Sequence, residues 1–247
     1  MAQYNYTNWD KFKAWSVHSF TASGIVAGFA AIVYTSESNF FMAFAMLFLT
    51  VIIDGIDGTF ARMFEVTKVL PNVSGKTMDY VIDFATYAII PAYIIYEANL
   101  LPEQLNFISA AIILLVSTLY YGKEGMVSND MYFVGFPVMW NLVAFYLYYV
   151  TDFSVEANFV VVLVFAVLHF VPIKYLYPSR TKKFQKLNIL ATCLLILSNF
   201  VLLLLIEWEL ELALYLWLAR LSSVGALLYF GLMSVYHTYL DSDTKNI

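Results

Sequence analysis

Four aspartates occupy positions where carboxylates are costly. Asp54, Asp57, Asp79 and Asp83 lie in two long, largely apolar stretches, and charge inside a membrane-length helix defaults to a functional role. At about 100° per residue, Asp54, Asp57, Gly58 and Ala61 share one arc of a helix. Asp79 and Asp83, at i and i+4, share one face of the next. Residues 63–74 join the two stretches, so the helices run antiparallel and their carboxylates converge toward one membrane surface. Four such charges repel one another unless cations neutralise them. An all-oxygen donor set of that charge suits Mg2+ or Mn2+, which favour carboxylates together with substrate phosphate.

The elements that position these residues must be membrane helices. The chain has 247 residues, 62% hydrophobic and 13% charged, with mean hydropathy +0.74. A soluble domain is roughly 45–50% apolar and about 25% charged, so a soluble fold, a disordered chain and a disulfide scaffold are excluded. A net charge of −5 also argues against a nucleic-acid partner. A span needs about 20 mostly apolar residues, because about 30 Å of hydrocarbon is crossed at about 1.5 Å per residue. Residues 14–36, 39–62, 75–96, 104–122, 131–151, 157–174, 187–206 and 212–240 predict an all-α polytopic membrane protein with about eight transmembrane helices. Residues 4–15, with Trp9, Phe12 and Trp15 beside Asp10, Lys11 and Lys13, predict an N-terminal interfacial amphipathic helix. Residues 1–247 read as a single membrane domain with residues 54–83 as its chemical centre.

With eight spans the connections alternate sides, and one side receives every Lys and Arg except Arg220, which falls within the last span. The positive-inside rule makes that side cytoplasmic, along with the aspartates and both termini. Met1–Lys13 is too polar to be a cleavable signal peptide.

The order Asp54-x2-Asp57-Gly58-x2-Ala61-Arg62, twelve residues, then Gly75-x3-Asp79-x3-Asp83 resembles the signature of the CDP-alcohol phosphatidyltransferases. The gap of twelve is longer than most members have and is similar to that of a bacterial branch whose acceptor is choline. Asn129-Asp130 with residues 133–141, residues 171–174 and residues 18–24 resemble the same branch. The resemblance implies an inner-membrane enzyme that transfers the phosphatidyl group from CDP-diacylglycerol to choline and releases CMP. Two Mn2+ or Mg2+ ions are the implied cofactors, and a homodimer the implied assembly. By position, Asp54, Asp57 and Asp79 would bind one ion. Asp83 would help bind the second and take the proton of the attacking hydroxyl. Gly58 and Ala61 would leave room for the nucleotide, Arg62 would grip a phosphate, Thr59 would contact cytidine or phosphate, and Gly75 would permit close approach. Each also has a plain structural use: close helix packing for Gly58 and Ala61, snorkelling for Arg62, an ordinary surface position for Thr59, a helix start for Gly75.

A quaternary ammonium forms no hydrogen bond, so choline would be held by aromatic faces and a nearby carboxylate. Tyr80, Tyr87, Tyr120, Tyr121 and Trp140 are the aromatic candidates, Asn141 is a candidate for the hydroxyl, and Glu124 and Asp130 are loop carboxylates that would attract the cation. The alternatives are another acceptor (serine, glycerol phosphate or inositol) and a cation-coupled transporter. A transporter calls for midplane carboxylates with a counterpart in the second half, and the sequence offers neither. His18, His169 and His237 are too scattered for a zinc or haem site. Cys193 is a lone core residue, and Arg220 needs a partner such as Glu207, Glu209, Glu211 or a lipid phosphate.

Overall fold

Four of the long apolar stretches begin at or near a residue that can cap a helix. Thr7 and Asp10 form a reciprocal capping box at the start of α1 (Asn8–Ser36). Asn39 accepts from the Met42 amide at 3.1 Å at the start of α2 (Phe40–Met63). Ser74 accepts from Thr77 at 3.1 Å before α3 (Gly75–Glu97). Such caps satisfy amides that have no partner within the helix. Apart from a single helical turn at Val66–Val69, the remaining helices among the described residues are α4 (Glu103–Tyr121), α5 (Trp140–Phe145, continued by a wide turn Tyr146–Val150), α6 (Val155–Leu168, capped by Ser154), α7 (Gln185–Glu207) and α8 (Ala213–Leu240). This computed structural model describes residues 6–208 and 212–241. Tyr4, Asn5, Glu209, Glu211 and Lys245, which entered the helix and charge readings, lie outside them.

Two expectations are corrected. The interfacial segment is not a separate helix: α1 is continuous over 29 residues, about 43 Å against a hydrocarbon core of about 30 Å. Thr7 starts the helix early, and no Gly or Pro interrupts it near the exposed Trp9, Phe12 and Trp15. The fifth and sixth expected spans are also shorter. Among the described residues six helices are long and apolar enough to cross, whereas α5 with its continuation and α6 reach only about 16 and 21 Å. Residues 131–139 are apolar because they pack inside the protein, not because they face lipid. Tyr132, Val134 and Val138 are buried, and Gly135 and Pro137 prevent a helix there.

The helices pack as α1 along α2, α3 against α1, α4 and α5, α4 against α6, and α7 against both α2 and α8. Trp140, Tyr120, Phe44, Phe145, Ile94 and Ile113 anchor the shared core. Large apolar side chains such as Phe29, Leu115, Leu190, Trp217 and Leu228 stay outward, as a lipid-facing surface requires. α3 is not regular throughout. Pro91 cannot donate to the preceding turn, and the helix widens into a π turn over Ala85–Ile89 just before it.

The loops before α5 and after α6 meet at one end of the bundle. β1 (Tyr132–Val134) pairs antiparallel with β2 (Lys174–Leu176), Phe133 opposite Tyr175. This strap is tied to α8: the Lys174 amide donates to Thr238 Oγ1 at 2.9 Å, and the Tyr132 hydroxyl lies 3.2 Å from His237 Nδ1. The buried Lys174 ammonium donates to Asp130 at 2.9 Å. Partial burial would push Asp130 up, but hydrogen bonds from Ser128 and Lys174 and the ammonium charge hold it below the usual carboxylate range. The stability it contributes is therefore present at neutral pH and is lost as pH falls through its lowered pKa. Gly135 leaves the strap at φ +90°, where an added Cβ would lie 2.1 Å from the His169 carbonyl oxygen. Gly135→Ala should lower stability by about 1–3 kcal/mol, read as a drop in thermal midpoint in detergent. Gly125→Ala, also at positive φ but with open space around it, should lower the midpoint less.

Candidate active site

α2 and α3 both pack on α1, and this turns two sequence stripes into one cluster. Asp54, Asp57 and Asp79 can each bring a ligand oxygen within 4.8 Å of the others. Asp83 joins them around a small cavity that Thr21, Gly24, Thr50, Ile53, Ile82 and Thr86 also line. The cavity volume is about 10 Å³, room for roughly one water-sized sphere. α1 closes the third side. An added Cβ at Gly24 would sit 3.3 Å from Ile82 Cγ2 and 3.7 Å from Ile53 Cγ2, so this glycine lets α1 approach both aspartate helices.

Asp57 is buried at 7% exposure. The Thr21 hydroxyl and the Gly58 amide are its hydrogen-bonding neighbours, and Arg62 is the nearby cation. The Tyr87 hydroxyl, on the π turn of α3, donates to Asp54 Oδ2 at 2.8 Å. Among the described residues none of the four carboxylates forms an ion pair. Ionised carboxylates this close cost on the order of 3–4 kcal/mol per pair at an effective dielectric of about 20. An all-oxygen donor set converging on a cavity of single-ion size, with no protein cation bound to it, fits a hard divalent cation.

The other predicted residues sort by their neighbours. Arg62 curls back over its own helix: Nη2 donates to Thr59 Oγ1 at 3.0 Å, and Nη1 would be 3.3 Å from a Cβ at Gly58. Among the described residues no atom of another helix lies within 4 Å of a Cβ placed at Gly58, so its face stays open. Ala61 packs with the small cluster of Ala14, Val17, Val66 and Val69, the close-packing use of a small residue. At Gly75 the neighbour is His18, whose Cε1 would lie 3.3 Å from an added Cβ.

The aromatic candidates separate into two groups. Tyr120 and Trp140 sandwich His169 in the core, with Trp140 Nε1 donating to Ser117 at 3.0 Å. Asn141 accepts from the Leu142 amide at 2.8 Å and serves the start of α5. Tyr80 and Tyr121 instead meet at the acidic cluster, and Tyr87 bonds directly to it. Of the loop carboxylates, Asp130 is engaged by Lys174, and Glu124 is exposed.

Sequence reasoning missed Thr21, Thr50 and Thr86. Their signal was spacing: Thr50 lies four residues before Asp54, and Thr86 three after Asp83. It also missed Tyr177, on the loop after β2. Burial pushes the Tyr177 hydroxyl above its ordinary range; Arg180 opposes this, while the charges of Asp54 and Asp79 add to it. The Tyr177 ring stacks on Phe133 of β1 with centroids 4.6 Å apart, so the strap holds it within electrostatic reach of Asp54 and Asp79.

Comparison with known proteins agrees with this geometry. The profile of the CDP-alcohol phosphatidyltransferase family matches residues 18–168, which contain all four aspartates. The phosphatidylcholine synthase of Agrobacterium fabrum is 41% identical over 184 residues, 74% of this chain and 76% of that protein. The phosphatidylcholine synthase of Pseudomonas aeruginosa is 39% identical over 210 residues, 85% of this chain and 88% of that protein. The phosphatidylcholine synthase of Borreliella burgdorferi is 31% identical over 233 residues, 94% and 96% of the two chains. With its aspartate signature folded into one cluster between two membrane helices, this chain belongs to the CDP-alcohol phosphatidyltransferase family.

Proposed function

We propose that this protein is a phosphatidylcholine synthase that transfers the phosphatidyl group of CDP-diacylglycerol to choline, giving phosphatidylcholine and CMP. The observation that carries the reading is agreement among relatives of that activity across most of the chain, joined to a carboxylate cluster suited to a pyrophosphate substrate. Bacterial relatives and the grouping of Lys and Arg on one side support a bacterial inner membrane with the site at the cytoplasmic leaflet and both termini cytoplasmic.

Asp54, Asp57 and Asp79 would hold one divalent ion, Mn2+ or Mg2+, and Asp83 would help hold a second. When bound, the ions offset the pyrophosphate charge and stabilise the leaving phosphate of CMP. The chain's own residues do the rest. Asp83 takes the proton as the choline oxygen attacks the diacylglycerol-linked phosphorus, and the bond from that phosphorus to the CMP oxygen breaks. Thr59 and Arg62, near the end of α2, would meet the nucleotide phosphates, with the guanidinium able to donate in pairs once it leaves Thr59. The open face at Gly58 leaves space for the nucleotide. Ala61 and Gly75 act through packing, holding α1 and the connection against the two aspartate helices. Tyr87 orients Asp54 by its hydrogen bond.

Purified protein with Mn2+ should release CMP from CDP-diacylglycerol when choline is supplied, and not with serine, glycerol phosphate or inositol. Release with one of those and not with choline would overturn the acceptor assignment while leaving the family chemistry intact. Asp83→Asn should lower kcat by about 100-fold or more with CDP-diacylglycerol binding retained; unchanged turnover would remove Asp83 as the base. Chelation should abolish turnover, and added Mn2+ should restore it. Tyr87→Phe should raise the Mn2+ concentration for half-maximal activity by about 10–100-fold, measured by Mn2+ titration of CMP release.

A further inference from the structure

A row of aromatic rings runs beside the row of carboxylates on α3. Tyr80 follows Asp79 and Phe84 follows Asp83, so both rings lie about 100° from the acidic stripe and, at i and i+4, one above the other. Tyr121, the last residue of α4, closes against both. Its ring centroid is 6.0 Å from Tyr80 at 64° and 5.9 Å from Phe84 at 85°. All three rings are half-buried, unlike Tyr120 and Trp140, which are sealed in the core. They are walls with an accessible side rather than core plugs.

This wall already shows an affinity for positive charge. The Lys76 ammonium sits over the Tyr80 ring, 5.3 Å from its centroid, as the ring quadrupole favours. Phe84 and Tyr121 hold no such partner among the described residues, and the charges of Asp83, Asp54 and Asp79 act on Tyr121. Aromatic faces on one side and carboxylates on the other form the surroundings that stabilise a cation unable to donate a hydrogen bond.

We propose that Phe84 and Tyr121, buttressed by Tyr80, form the wall that recognises the trimethylammonium group of the acceptor alcohol. The proposal rests on choline being the acceptor. Choline's hydroxyl and nitrogen are only two carbons apart, so with the hydroxyl at Asp83 the ammonium must lie within one side chain of it. Phe84 is the next residue, and Tyr121 faces Phe84. The wall also explains selection against an anionic acceptor, which finds no donor on the rings and is repelled by the neighbouring carboxylates.

The test compares choline with 3,3-dimethylbutan-1-ol, its neutral isostere, in steady-state CMP release by the full-length protein. The wild type should prefer choline. Tyr121→Leu and Phe84→Leu should each raise the choline KM by about 3–30-fold, with kcat and the KM for CDP-diacylglycerol nearly unchanged. The isostere should lose much less, so the choline-to-isostere ratio collapses. Tyr121→Phe keeps the ring and should keep the ratio, which separates recognition from folding. Ratios retained in both leucine variants, with choline turnover intact, would overturn the wall alone. A wild type that uses another acceptor and ignores choline would overturn the acceptor reading and the wall together.

Discussion

Mutual repulsion among four carboxylates in a low-dielectric helix interface is the constraint on which the rest of the structure depends. Left uncompensated, each ionised pair at these separations costs several kcal/mol, a large fraction of a protein's net stability. The described residues bring no ammonium or guanidinium into ion pairing with the cluster. Hydroxyl groups and a backbone amide supply the hydrogen bonds instead. A site built this way is poised for external positive charge, and its neutralisation is linked to binding rather than to folding alone. A buried lysine would stabilise the apo protein and occupy the place a cation needs.

Holding that cluster together falls to residues with little chemistry of their own. Gly24 and Ala61 let α1 lie against the aspartate helices, and Gly75 accommodates His18 at the start of α3. Pro91 and the π turn before it set the stretch from which Tyr87 reaches Asp54. From the far half of the chain, the strap is anchored to α8 by Lys174, Tyr132 and Thr238 and holds Tyr177 stacked on Phe133. Close-packed helices thus fix the carboxylates, while the strap is tethered separately to the last helix.

The aspartate cluster was legible in the sequence because its geometry is local. Spacings of three and four residues determine which side chains share a helix face, and membrane hydropathy determines which faces can carry charge. The strap was not legible, because residues 131–139 have span-like apolarity for a different reason. Tyr132, Val134 and Val138 are buried within the protein, and composition cannot distinguish protein from lipid as the apolar surroundings. Among the described residues six long helices stand where eight full spans were expected. The aromatic candidates divided along a similar line. Tyr120 and Tyr121 are adjacent in sequence, yet one packs edge-on against His169 and the other meets Phe84 beside the acids. About 100° of helical rotation separates a core residue from a site residue. Choosing between them requires knowing which helix stands opposite.

The central claim is that the acidic cluster between α2 and α3 exists to hold divalent cations. Mn2+ binding to the purified protein, followed by the loss of the free-ion paramagnetic resonance signal in the presence of CDP-diacylglycerol, tests it most directly. The account predicts saturable uptake approaching two ions per chain, with Asp54→Ala or Asp79→Ala greatly weakening binding while the thermal midpoint is kept or raised by relief of repulsion. Equal Mn2+ uptake by the wild type and both variants would contradict it.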